Sequence, residues 1–137
     1  RHLERWHDDQ DVVKCEAVSL ARLGNRAAAL QRFEHLTQQS PNDPDLQQRI
    51  AVLYQRGTTS ADQENAVTAW RRLVRLSADE SPEWYQAKLG IARGLVRMGQ
   101  RQRAIEMIDL LKILHPNMGG PESRKAFAEL RQEAAER

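Results

Sequence analysis

The stretch ARLGNRAAALQRFEHLTQQSPND, residues 21–43, decides how the rest of the chain is read. Gly24 and Asn25 interrupt one apolar run. Ala29, Phe33 and Leu36 then recur at steps of four and three, the spacing of one helical face, and Pro41 closes the run. Glycine can take the left-handed backbone conformation that ends a helix. Proline supplies no backbone donor and restricts the residue before it, so a helix stops short of it. The stretch therefore reads as the end of one helix, a tight turn and a complete second helix.

The same grammar extends outward in both directions. Val13, Ala17 and Leu20 form the stripe that Gly24 closes, and Pro44 opens a third helix carrying Ile50, Ala51 and Tyr54. After the polar segment QRGTTSADQE, residues 55–64, read as an expanded surface loop, Ala66, Trp70 and Leu73 form a fourth stripe. Pro82 suits a first helical turn; Trp84, Ile91, Ala92 and Leu95 follow it, and Gly99 ends that helix. The sixth stripe is Ala104, Ile108 and Leu111, ending at HPNMGGP, and Pro121 opens a seventh helix with Phe127 and Leu130 inward. Alternating β-branched runs are absent, so the expected fold class is all-α.

Superposing the stripes exposes a repeat. Gly24 to Pro41 is 17 residues and Gly99 to Pro116 is 17 again, while Pro82 to Pro116 is 34. Ala29 and Phe33, Ala66 and Trp70, and Ala104 and Ile108 are each four apart, and Leu36, Leu73 and Leu111 follow each pair three residues later. This pattern resembles the tetratricopeptide repeat, a helix pair of about 34 residues per tile. The family's small residue midway along the first helix is met by Ala17, Ala51 and Ala92, and its larger residue a turn later by Leu20, Tyr54 and Leu95. The resemblance covers roughly residues 10 to 116 and implies a right-handed α-solenoid of about three helix pairs (10–43, 44–81, 82–116) with a C-terminal capping helix over 117–137. Residues 1–9, with Leu3 and Trp6, read as an extension or the edge of a preceding tile. The family's early first-helix aromatic is replaced by Val13, Gln47 and Lys88.

Composition narrows the function classes. The chain has 137 residues, enough for one domain with a real core. Its 21 Lys and Arg against 19 Asp and Glu give a net charge of +2, far from a nucleic-acid-coating protein. A single cysteine forms no internal disulfide and leaves compartment open, as does a sequence that starts at Arg1. No apolar run approaches the roughly 20 residues of a membrane span.

No catalytic constellation is legible, and neither a cofactor nor a metal is expected. His2, His7, His35 and His115 lack ligand spacing and read as surface histidines. Asp8, Asp9 and Asp11 read as helix-start carboxylates. Gly119 and Gly120 read as a turn, Cys15 as a small buried apolar residue, and Trp70 and Trp84 as core.

In the tetratricopeptide family the first helix of each tile lines a concave groove. Carried onto this chain, the resemblance implies a lining of Asp11, Lys14, Cys15, Val18 and Arg22, then Asp45, Gln48, Arg49, Val52 and Arg56. The third tile adds Gln86, Leu89, Gly90, Arg93, Val96 and Arg97, with Gly90 leaving room for a ligand backbone. Five arginines and one lysine against two aspartates make this surface locally basic. Guanidinium forks among Val52, Leu89 and Val96 suit an extended acidic peptide, with Arg49, Arg56, Arg93 and Arg97 as one stripe. The family's asparagine clamp for a terminal carboxylate is not matched, because Cys15, Arg49 and Gly90 stand at those sites. The expected function is a protein-interaction scaffold, the C-terminal array of a larger protein. The alternative is a structural module that packs on its own parent chain or self-associates through its N-terminal edge, with RNA binding a remote third.

Overall fold

The computed structural model describes the backbone of residues 2–136 and the side chains of residues 11–136. It is all-helical among these residues: α1 (His2–Arg22), α2 (Arg26–Gln39), α3 (Pro44–Gln55), α4 (Ser60–Leu76), α5 (Pro82–Arg97), α6 (Arg101–Leu114) and α7 (Pro121–Ala135). The two glycine stops work identically. Gly24 (φ +83°) and Gly99 (φ +80°) take the left-handed conformation. The N–H groups of Asn25 and Gln100 then reach back to Leu20 and Leu95 O at 2.9 and 2.8 Å, satisfying carbonyls that a helix end leaves open. At the starts, the Asp43, Thr59 and Ser81 side chains accept from N–H groups of the first turn, ahead of α3, α4 and α5.

Each helix packs on the next in the chain, and α5 also meets α7. The small positions of the sequence pattern are sealed inside the packing: Ala17, Ala29, Ala51, Ala66, Ala92 and Ala104 have no exposed surface. Phe33, Leu36, Trp70 and Leu73 fill the space between α1 and α5, and Trp84, Ile108, Leu111 and Phe127 the space between α5 and α7. Val74, Val96 and Met107 touch both groups, so one core runs the length of the molecule. Such burial stabilises by roughly 1.5–3 kcal/mol per large side chain.

Four expectations fail here, each for a local reason. Residues 55–64 are not one loop: α4 begins at Ser60, because Thr59 and Asp62 close a reciprocal capping box. Gln63 is buried inside that first turn, where its Nε2 donates to Gln55 O at 3.2 Å and Gly57 O at 2.7 Å. Asp11 is not a helix-start carboxylate, since α1 begins nine residues earlier at His2. Residues 2–9 belong to the same helix; the side chains of Leu3 and Trp6 lie outside the described residues. Cys15 is exposed, because it sits on the outer face of α1 rather than on the Ala17 face. His115 is not a free surface group: its Nδ1 lies 2.8 Å from Glu80 Oε1, and its ring meets Trp84 edge-on at 5.2 Å.

Gly90 overturns a fifth. A Cβ built there would lie 2.4 Å from Trp70 Cε2 and 2.5 Å from its Nε1, so the space beside Gly90 is filled by the indole of α4. One turn on, a Cβ at Gly94 would meet Val67 Cγ2 at 2.4 Å. Both glycines therefore seat α4 against α5, and neither leaves room for a ligand.

Candidate functional site

Helices α1, α3 and α5 are joined side to side by polar contacts. Lys14 on α1 reaches Asp45 on α3 at 2.6 Å, and Arg49 reaches the same carboxylate from one turn away at 3.1 Å. Partial burial pushes the Asp45 pKa up, but the two cations outweigh it and hold the carboxyl below the usual aspartate value. From α3 to α5, Gln48 Nε2 donates to Gln86 Oε1 at 3.0 Å, and Gln55 Nε2 donates to Gly90 O at 3.1 Å. Arg97 Nη1 returns the contact, donating to Gln55 O at 2.7 Å.

Two adjoining clefts open along this face. The first, about 350 Å³, takes Val18, Ala21 and Arg22 from α1 and Asp45, Gln48, Arg49 and Val52 from α3, with Phe33 and Leu53 at its base and Arg56 at its end. The second, about 610 Å³, shares Val52 and Arg56 with the first and adds Gln55, the 57–60 turn, Gln63 and Arg97. Of the arginines expected in one stripe, Arg49 and Arg56 share the first cleft and Arg56 and Arg97 the second. Arg93 is exposed but lines neither, and Leu89 is turned into the second core group.

The positive charge is unevenly committed. Lys14 and Arg49 are held by Asp45, and Arg97 by a carbonyl. Among the described residues, no acid or hydrogen-bond acceptor engages the guanidinium groups of Arg22 or Arg56. These two stand with the half-buried Val18 and Val52 between them, an apolar floor with cations at its rim. The sequence reading missed Ala21, Phe33 and Leu53 as part of this cleft, since each belongs to a face already assigned to packing.

A third cleft lies on the outer side of α1, where Val12 is 60 % and Leu23 82 % exposed, beside Cys15, Leu20 and Arg32. Among the described residues, no group of three or more His, Cys, Asp or Glu is placed to hold a metal ion, and no helix is long and apolar enough to cross a membrane. Comparison with family models and with curated proteins returns no match.

Proposed function

We propose that this chain is an interaction module of tetratricopeptide type, a right-handed α-solenoid of three helix pairs and a closing helix, that holds an extended segment of a partner protein along its odd-numbered helices. Six fully buried alanines at the recurring small positions support the repeat reading. So do matching glycine stops 75 residues apart, at Gly24 and Gly99. The observation that carries the functional reading is the convergence of Arg22, Arg49 and Arg56 from two helices around Val18 and Val52 in one cleft. An extended chain with an acidic residue near an aliphatic one answers that chemistry, the carboxylate meeting the uncommitted Arg22 or Arg56 and the aliphatic group covering the valines.

The test is retention of acidic, neutral and basic peptide pools by wild type and by the Arg22→Glu/Arg56→Glu double variant. Both side chains are exposed, so the melting profile should stay close to wild type while retention of the acidic pool is lost. Retention by wild type should also weaken with salt, since exposed charges are screened over about 8 Å at physiological ionic strength. Equal retention by both proteins would assign the arginines to solvation alone. A second reading, self-association through α1, is favoured by one observation: the exposed Val12 and Leu23 beside an apolar cleft.

A further inference from the structure

A different set of helices builds a second basic cleft that the proposed function does not use. It holds about 440 Å³ between α4, α5 and α6. Its floor is Ile91 and Leu95, both buried, with the half-exposed Val74 and Met107 on its walls. Its rim is Arg71 and Arg75, one turn apart on α4, Lys88 on α5 and Arg103 on α6, and no lining residue is acidic.

Among the described residues, none of these four cations has an ion pair. Lys88 rests over the Trp84 ring at 5.0 Å, and Arg103 donates to the neutral Gln100 side chain at 2.6 Å. The acids of α6 are engaged elsewhere: Asp109 takes two bonds from Arg131 of α7, at 2.6 and 3.1 Å, and Glu106 accepts from Gln102. Four unpaired cations around an apolar floor repel one another, and a bound anion relieves that repulsion.

The apolar surface does not stop at the cleft. Arg103, Met107, Leu110 and Leu114 follow steps of four, three and four, so all four lie on one face of α6. Leu110 is 56 % and Leu114 62 % exposed, and Ile113 beside them is 73 % exposed. Scattered exposed leucines need no explanation, but a contiguous aliphatic stripe leading out of a basic cleft marks a contact surface. From Arg103 to Leu114 the stripe runs about 16 Å, about three helical turns.

We infer that this face takes an amphipathic α-helix of a partner protein, with aliphatic residues at i, i+3 or i+4 and i+7 laid on Val74, Met107, Leu110 and Leu114 and acidic residues flanking them. Charge selects the occupant. The rim answers carboxylates around the cleft, with Arg71 and Arg75 on the α4 side and Arg103 on the α6 side, whereas a nucleic-acid backbone would leave the aliphatic side chains uncovered. Met107 adapts to the side chain it meets, and Arg71 and Arg75 can each fork a carboxylate one turn apart on the incoming helix.

The experiment is fluorescence anisotropy with a labelled synthetic helix carrying Leu in that spacing and Glu at its flanks, beside a copy with Lys in place of Glu. Wild type should bind the Glu peptide and not the Lys peptide, and less tightly as salt rises. Arg75→Glu/Arg103→Glu and Leu110→Asn/Leu114→Asn each change exposed side chains, so they should fold as wild type and weaken binding roughly tenfold or more. Arg22→Glu/Arg56→Glu should bind the peptide as wild type does, which separates this face from the cleft of the proposed function. Equal binding of the Glu and Lys peptides, or unchanged affinity in either double variant, overturns the inference. So does capture by phosphatidylserine vesicles without peptide binding, or self-association that Leu110→Asn/Leu114→Asn abolishes while no peptide binds.

Discussion

Replacing Gly90 by alanine is the sharpest test of how α4 and α5 are held together. Taken alone, the change favours the helix by about 1 kcal/mol, because glycine in a helix interior carries excess backbone entropy. The added methyl, however, would start 2.4 Å from the Trp70 indole, where ordinary contact begins at 3.4 Å, so ring or helix must retreat by the difference of 1.0 Å. Trp70 is 2 % exposed and has no open side to move into. Overpacking of this kind costs about 1–3 kcal/mol, and a shift this large in a dense core belongs at the upper end. The net expectation is a loss of about 2 kcal/mol. In a Trp70→Leu background the atoms that clash are gone, and Gly90→Ala should become neutral or stabilising by up to about 1 kcal/mol. Urea unfolding of the four proteins, read by far-UV circular dichroism, gives the cycle, and its coupling should approach 3 kcal/mol. Gly90→Ala that stabilises the wild-type background, or that has the same effect in both, would refute contact between the indole and the Gly90 backbone.

Two further outcomes follow from other parts of the molecule. Burial, then a hydrogen bond to the Glu34 carboxylate and its charge, pushes the Tyr54 pKa from 10.0 up to about 12. The folded value lies above the unfolded one, so the stability Tyr54 contributes is fully present below pH 10 and is lost as pH rises toward about 12. Difference absorbance between wild type and Tyr54→Phe isolates that phenolate from Tyr85, and Glu34→Gln should lower its midpoint; a midpoint unmoved by Glu34→Gln would remove the carboxylate as a cause. For α1, sedimentation over a wide concentration range should show association that Val12→Asn/Leu23→Asn relieves. A species monomeric throughout would leave the outer face of α1 without a role in self-association.

The helices were legible because small and large residues recur at helical spacing and because Gly24, Gly99, Pro44 and Pro82 punctuate them. Where the reading failed, the missing information was which side of a known helix meets which neighbour. Gly90 illustrates this. A residue without a side chain is compatible with an approaching ligand or an approaching helix, and the choice rests on where Trp70 of α4 projects. The pairing of Gly90 with Gly94 one turn later was a readable sign of close helix approach. Cys15 lies in register with Val12, Ser19 and Leu23, not with Val13 and Ala17, so its exposure was also within reach of spacing alone. The capping box at Thr59 and Asp62 hid inside a polar run that reads as loop. The split among the arginines was not accessible: Arg93 and Arg97 share a helix face one turn apart, yet Arg97 lines the second cleft and Arg93 lines neither, because only Arg97 lies against the end of α3 at Gln55.

The Gln55 carbonyl draws three helices to one point, at the joint between α3 and α5. That oxygen receives Gln63 from α4 and Arg97 from α5, while the Gln55 side chain holds Gly90 O. Three helices are thus knotted at one residue, and the far end of the same joint is fastened by the exposed Gln48 to Gln86 bond. The α3–α5 joint is tied by two bonds at its Gln55 end and by one exposed side-chain pair at its Gln48 end. Arg97 is also a wall of the second cleft, so a carboxylate that draws it away unties one strand of the knot. A ligand carboxylate in that cleft and the Gln55 carbonyl would compete for the one Arg97 guanidinium.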